Sequence, residues 1–137
     1  MSLVIDSSIT LAWLFEDERS SAADAVLRDV ADYGAIAPSL WRLEVANALQ
    51  SAIRRKRIAS VFRDASLADL RALMVTIDLE TDLRAWTTTL QLAERFKLTV
   101  YDATYLELAQ RLSLPLATLD QELRSAASAL GVRLLGF

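Results

Sequence analysis

The sequence predicts an α/β fold, in which short parallel strands form a central sheet and helices pack around it. Two observations lead to this expectation. Short apolar runs, typical of strands buried on both faces, recur along the chain. Between them lie longer stretches with the apolar spacing of helices, and such alternation is typical of a parallel sheet. At 137 residues the chain is expected to form one domain, residues 1–137.

The predicted strands are short, and the predicted helices fill the stretches between them. Strands are expected at residues 3–5, 35–37, 75–79, 116–119 and 132–135, with a further β-like segment at 99–101. Helices are expected at residues 8–15, 20–33, 41–55, 61–73, 82–96, 103–112 and 121–130. Gly34 provides a C-terminal stop for the second helix. The helix at 41–55 is the clearest, because Val45, Leu49 and Ala52 form one apolar stripe.

Composition excludes several classes of chemistry. The chain has no cysteine and no histidine, which removes disulfides, thiolate zinc sites and any Ser-His-Asp triad. A bound metal would therefore have oxygen ligands, which favour Mg²⁺ or Mn²⁺. The start of the chain lacks the pattern of a signal peptide, and no apolar run approaches the ~20 residues of a membrane span. We therefore expect a cytoplasmic protein without a membrane partner.

Three aspartates occupy equivalent places in the predicted pattern. Asp6, Asp102 and Asp120 each follow an apolar β-like segment and precede a helix. In a parallel sheet such junctions share the carboxyl edge, where α/β folds bind ligands. Glu44, on the helix after the second strand, could add a fourth carboxylate from the side.

Each aspartate alone is also explained as a helix N-cap, which contributes about 1 kcal/mol. Two carboxylates ~5 Å apart repel by about 3 kcal/mol at an effective dielectric constant of 20, so clustered caps alone would be unfavourable. A divalent cation would reverse the sign of that energy. The joint pattern therefore favours a metal site.

Other polar residues could support this site. Ser7 and Thr118 carry hydroxyls beside Asp6 and Asp120, although both also fit local backbone capping. Asn47 lies three residues after Glu44 and could orient it, or could be an ordinary exposed amide.

Basic and aromatic residues are ambiguous. Net charge is −3, so any contact with nucleic acid must be local. Arg54, Arg55, Lys56 and Arg57 form one basic run, which by itself is better explained as favourable charge at a helix C-terminus. Three tryptophans are expected to be core or interface residues rather than base-stacking platforms; they are Trp13, Trp41 and Trp86.

The ordered combination of motifs resembles a PIN-domain protein of the VapC toxin type. The motifs are VIDSS at the start, APSLWRLEVANAL with Glu44 and Asn47, VYDATYLELAQRLSLPLATLDQEL with Asp102, Thr118 and Asp120, and a closing short strand. The resemblance covers essentially the whole chain. It implies a three-layer sandwich whose central, mostly parallel sheet has four to five short strands.

The resemblance also implies a function. It implies an endoribonuclease toxin of a type II toxin-antitoxin pair, with Asp6, Glu44, Asp102 and Asp120 as an acidic quartet that holds Mg²⁺ or Mn²⁺, and with Thr118 at the usual Ser or Thr position. It further implies a homodimer neutralised by a small antitoxin protein. With RNA as substrate, phosphate contacts are expected from Arg42 and from the basic run Arg54, Arg55, Lys56 and Arg57.

Three alternatives remain open at this point. A phosphoacceptor domain also gathers acids at strand ends, but the lysines Lys56 and Lys97 are badly placed for one. A non-catalytic PIN-like binding module has no need of four mutually repelling acids. A PIN nuclease that matures ribosomal RNA or cuts DNA would share the chemistry but not the substrate.

Overall fold

Five parallel strands form the centre of the molecule in a computed structural model, which describes residues 3–137. The strands are β1 (Val4–Ile5), β2 (Ala35–Pro38), β3 (Val75–Asp78), β4 (Leu116–Ala117) and β5 (Leu134–Leu135). They pair in the order β3-β2-β1-β4-β5, and each of the four pairings is parallel. The predicted α/β fold with a parallel sheet is thus confirmed.

The connections between strands are helical. The helices are α1 (Ser7–Leu14), α2 (Ser21–Tyr33), α3 (Leu40–Arg54), α4 (Ser60–Ala72), α5 (Thr81–Arg84), α6 (Thr88–Phe96), α7 (Val100–Leu112) and α8 (Gln121–Ala129). A short 3-10 turn, Glu16–Glu18, follows α1. None of these helices, within residues 3–137, is both long and apolar enough to cross a bilayer.

The middle of the sheet is fully buried. Every residue of β1, β2 and β4 is shielded from solvent, which accounts for their uninterrupted apolar sequences. Helix α7 packs against all three of these strands, and its residues 103–109 are buried without a break. This helix is therefore part of the core, and its first turn lies at the edge where the site described below is found.

Two predicted elements are wrong. Residues 99–101 do not form a strand, because the Thr99 hydroxyl accepts a hydrogen bond from the Asp102 backbone N–H at 3.0 Å and α7 starts at Val100. The helix expected at 82–96 is broken into α5 and α6 by a turn, Ala85 to Thr87. Three successive β-branched threonines follow that turn's tryptophan and disfavour continuous helix there.

Gly34 connects α2 to β2 in a conformation that other residues rarely adopt. Its φ is 77°, and a Cβ atom added there would lie 2.8 Å from the carbonyl oxygen of Met74. Gly131 has a similar φ of 73°, but a Cβ atom there would meet nothing within 4 Å. A substitution at Gly131 would therefore introduce backbone strain alone, whereas a substitution at Gly34 would introduce both backbone strain and steric overlap.

We expect backbone strain alone to be the smaller effect, so Gly131→Ala should lower the free energy of unfolding by about 1 kcal/mol. Gly34→Ala should cost roughly 2–3 kcal/mol, because the overlap with the Met74 carbonyl adds to the strain. Urea unfolding of the two variants measures both losses. Equal losses would contradict the role given to the close approach at Gly34.

Candidate active site

Asp6 lies at the carboxyl end of the central strand β1 and is only 4% exposed. It is the N-cap of α1: its Oδ1 accepts hydrogen bonds from the Ile9 backbone N–H at 3.0 Å and from the Ser8 hydroxyl at 2.7 Å. Its other oxygen, Oδ2, accepts a hydrogen bond from the Thr118 hydroxyl. This buried carboxylate is therefore held by three neutral donors, and no cationic side chain of residues 3–137 is bonded to it.

Ser8 and Thr118 join the carboxyl ends of β1 and β4. Thr118 directly follows β4, and its Oγ1 also accepts the Asp120 backbone N–H at 3.1 Å. The Ser8 hydroxyl accepts the Leu119 backbone N–H at 2.9 Å. These bonds fix the two strand ends against each other, which places Asp120 beside Asp6 at one edge of the sheet.

Asp120 is the N-cap of α8, since its Oδ2 accepts the Leu123 backbone N–H at 2.9 Å. The capping interpretation is thus correct for Asp6 and for Asp120. It does not hold for Asp102, which is the third residue of α7 and lies in a helix capped by Thr99. The helical start of α7, rather than a strand end, brings Asp102 to the site.

Glu44 reaches the site from α3 and is half-buried. The hydroxyl of Tyr105 donates a hydrogen bond to its Oε1. Tyr105 lies three residues after Asp102, so α7 presents both side chains on one face. Helix α7 therefore connects Glu44 with Asp102.

The four carboxylates share one electrostatic environment. Burial raises the pKa of Asp6 to about 6, and the charge of Glu44 adds to the rise. Burial also raises the pKa of Asp102, with further contributions from the charges of Asp120 and Glu44. The pKa of Tyr105 is raised by burial, by its bond to Glu44 and by the nearby acidic charges. The structure thus brings the four acidic residues to one side of the molecule.

The side-chain atoms that could bind a metal at this site are of the type that a hard divalent cation prefers. The candidate ligands are all carboxylate oxygens. Burial is the main cause of the raised pKa values of Asp6 and Asp102, neighbouring carboxylates add to it, and a bound cation would oppose both effects by stabilising the ionised form. Within residues 3–137, however, no three acidic side chains are already grouped closely enough to hold a metal ion. Binding therefore requires some side-chain movement, for which Asp102 and Asp120, both half-buried, are available, while Glu44 is held by Tyr105.

Within residues 3–137, two residues named as possible supports of the site form no hydrogen bond with its carboxylates, and Asn47 fits the alternative expectation of an ordinary exposed amide. Ser7 is the first residue of α1, and no hydrogen bond of its hydroxyl is found in the described part of the chain. The hydroxyl that binds Asp6 belongs to Ser8 instead. Asn47 is exposed on α3, and Glu44 is bonded to Tyr105 rather than to this amide.

The basic run lies far from the acidic residues. Helix α3 follows β2, so Glu44 is near the carboxyl edge of the sheet and Arg54 is ten residues further on, about 15 Å away along the helix. Arg57 forms an ion pair with Asp17 at 2.7 Å and covers the ring of Phe15. In contrast, Arg42 is exposed two residues before Glu44.

The tryptophans divide into two kinds. Trp13 and Trp41 are buried core residues, whose indole N–H groups donate to the Ala23 carbonyl and the Thr10 hydroxyl, each at 2.9 Å. Trp86 is 91% exposed in the turn between α5 and α6, so it is not a core residue.

Sequence reasoning missed Ser8 and Tyr105. Tyr105 could have been recognised, because it lies about one helical turn from Asp102 and carries a hydroxyl on the same face of the predicted helix. Ser8 gave no distinguishing signal, since two successive serines follow Asp6 and local sequence does not say which one faces β4.

Comparison with known proteins agrees with this architecture. The PIN domain family model matches residues 3–129. Ribonuclease VapC3 of Pyrobaculum aerophilum is 28% identical over 130 residues, which cover 95% of this chain and 98% of that protein. The crystal structure of PAE2754 from Pyrobaculum aerophilum superposes with a TM-score of 0.69 at 22% identity, covering 92% of this chain and 84% of that one.

The chain therefore belongs to the PIN domain family. Its resemblance to the VapC type of PIN protein, noted from the sequence motifs, is confirmed by the similarity to a VapC ribonuclease along nearly the whole of both chains.

Buried Asp6 should make the metal-free protein more stable at mildly acidic pH. Because its pKa is raised from 3.8 to about 6, the folded state binds more protons than the unfolded state between these values. The free energy of unfolding should therefore rise by roughly 1–3 kcal/mol as pH falls from 7 to 4.5 in chelator. Urea unfolding at several pH values measures this rise, which Asp6→Asn should reduce markedly. Stability that is flat or decreasing over this interval in the unmodified chain would contradict it.

Proposed function

We propose that this protein is a Mg²⁺- or Mn²⁺-dependent endoribonuclease that acts as the toxin of a toxin-antitoxin pair in the cytoplasm. Membership of the PIN family and the similarity to Ribonuclease VapC3 support the activity. The proposal is carried by the electrostatic interaction of Glu44 with Asp6 and Asp102, and of Asp102 with Asp120, around a carboxylate, Asp6, that is buried among neutral donors.

In the proposed mechanism, each of these side chains would bind the metal ion or orient its ligands. A bound Mg²⁺ or Mn²⁺ would lower the pKa of a coordinated water and neutralise charge on the scissile phosphate. Asp6 and Asp102 would be its main ligands, while Glu44 and Asp120 complete or orient the shell, in part through water. Thr118, together with Ser8, fixes the direction of the Asp6 carboxylate.

The products follow from the side chains available. With no histidine in the chain, no imidazole can activate a ribose 2′-hydroxyl. We therefore expect hydrolysis by water, which leaves a 5′-phosphate and a 3′-hydroxyl without a 2′,3′-cyclic intermediate.

Asp6→Asn and Asp102→Asn should each abolish cleavage of structured RNA, because each removes a negative ligand from the site. Incubation with tRNA in Mg²⁺ or Mn²⁺, followed by gel analysis, measures the loss, and circular dichroism checks the fold. Asp69→Asn is the matched control, since Asp69 is an exposed acid on α4. Undiminished cleavage by either site variant would refute the assignment.

Parallel incubations with ribosomal RNA and single-stranded DNA separate a toxin from other PIN nucleases.

We place the nearest phosphate contact at Arg42, with Arg54, Arg55 and Lys56 as a more distant contact for a longer RNA. Each phosphate contact lowers the slope of log K against log[salt] by roughly 0.7 for single strands. Arg42→Gln should therefore make this slope shallower by about 0.7. In a separate variant, replacing the three distant residues by Gln should make the slope shallower by a larger amount. Fluorescence anisotropy in chelator measures the slopes, with Arg28→Gln as the control for an exposed arginine of α2. An unchanged slope in either variant removes that contact from the proposal.

An antitoxin partner is supported by a groove between α3 and α4. Its cavity of about 300 Å³ is lined by apolar side chains of both helices, among them Val45 and Leu70. Arg42 and Arg71 also line it, and neither forms an ion pair in the described part of the chain. Such a groove suits a peptide segment that carries both apolar and acidic side chains.

A homodimer is supported by apolar surface around α5. Leu79, Leu83, Trp86 and Leu90 are all exposed within twelve consecutive residues. Exposed large apolar side chains gathered in one place are typical of an interaction surface. We propose that a second copy of the chain covers them.

A further inference from the structure

We propose that Tyr105 is a positioning residue, whose hydroxyl holds Glu44 in the orientation from which it receives the divalent cation. This inference rests on the proposed function, because it assigns a role within the same metal site. It concerns a residue that does not itself contact the ion.

The contact is well defined. Tyr105 is 1% exposed and lies in the buried part of α7. Its hydroxyl donates to Oε1 of Glu44, which belongs to a different helix. A buried phenol requires a hydrogen-bond partner, and here the partner is a carboxylate of the acidic site.

This contact leaves half of the carboxylate free. No hydrogen bond to Oε2 of Glu44 is found among residues 3–137, whereas Oε1 is occupied by Tyr105. A monodentate anchor of this kind fixes the side-chain torsions of Glu44 and keeps one oxygen available as a ligand. Preorientation by neighbouring hydrogen bonds is a general feature of metal-binding carboxylates.

Glu44 needs such an anchor because its neighbours repel it. The charge of Glu44 contributes to the raised pKa values of both Asp6 and Asp102, which shows that the three groups interact. Without a cation, a half-exposed glutamate would lower this repulsion by turning toward water. A lysine or arginine could also hold Glu44, but its charge would replace that of the metal ion. The neutral phenol holds the carboxylate and leaves the negative charge of the site intact.

The same arrangement occurs at Asp6, where the donors are the hydroxyls of Ser8 and Thr118. The nearby guanidinium of Arg124 donates to the backbone carbonyls of Thr118 and Leu135 rather than to a site carboxylate. Neutral hydroxyls thus orient two acids of the site, and Tyr105 is the member that acts on Glu44.

The test measures Mn²⁺ binding to the full chain by isothermal titration calorimetry, which does not depend on cleavage. Tyr105→Phe keeps the ring and removes the hydroxyl, so the Kd for Mn²⁺ should rise roughly 10- to 100-fold. Tyr101→Phe, on the exposed first turn of the same helix, is the matched control and should leave the Kd within twofold. Should Tyr105→Phe not fold by circular dichroism, Tyr105→Met fills similar space without the hydroxyl and replaces it.

A double-mutant cycle separates positioning from a general structural effect. If Tyr105 acts through the Glu44 carboxylate, Tyr105→Phe should change the Kd by less than twofold when Glu44→Gln is already present. An unchanged Kd in Tyr105→Phe, or an equal loss in both backgrounds, would overturn the inference while the metal site itself stands. Absence of Mn²⁺ binding by the unmodified chain would overturn the inference together with the proposed metal dependence.

Discussion

The site at the carboxyl edge of the sheet keeps negative charge out of water, and its other contacts follow from the need to stabilise that charge. Asp6 is almost fully buried at the end of the central strand, and burial raises its pKa to about 6. Ionised carboxylates are costly in such a place unless they are hydrogen-bonded or neutralised. The chain supplies hydrogen bonds from Ser8 and Thr118, and among residues 3–137 no cationic side chain is bonded to this group. Uncompensated negative charge therefore remains at this edge of the sheet.

The topology of the sheet explains why residues distant in sequence meet there. Strand β1 lies between β2 and β4, so the segments that follow these three strands start from neighbouring points on one edge. Asp6 and Asp120 follow two of the strands closely, while Glu44 comes from the helix after β2. Helix α7 packs across all three strands and brings Asp102 and Tyr105 to the same edge. The site therefore depends on tertiary packing of α7 as much as on strand ends.

Much of the fold could be predicted because local patterns and tertiary structure agree. The apolar runs of β1 and β2 are typical of buried strands, and α3 shows a clear apolar stripe. Prediction failed where a local interaction competed with propensity: the Thr99 cap converts the β-favouring Val100 and Tyr101 into the first turn of α7. For the site, the sequence indicated which acids would share an edge of the sheet. Asp102, however, lies in the first turn of α7 and not at the end of a strand. The role of Ser8 and the bond from Tyr105 to Glu44 depend on which side chains face each other across elements, and no local pattern specifies that.

Anomalous X-ray diffraction from crystals soaked in Mn²⁺ would show whether Asp6, Glu44, Asp102 and Asp120 form one binding site for a hard cation. If they do, an anomalous peak is expected within ligand distance of Asp6 and Asp102, with Glu44 and Asp120 around it. A well-diffracting crystal at saturating Mn²⁺ with no peak there, or with peaks only at other surface acids, would refute the proposed metal site.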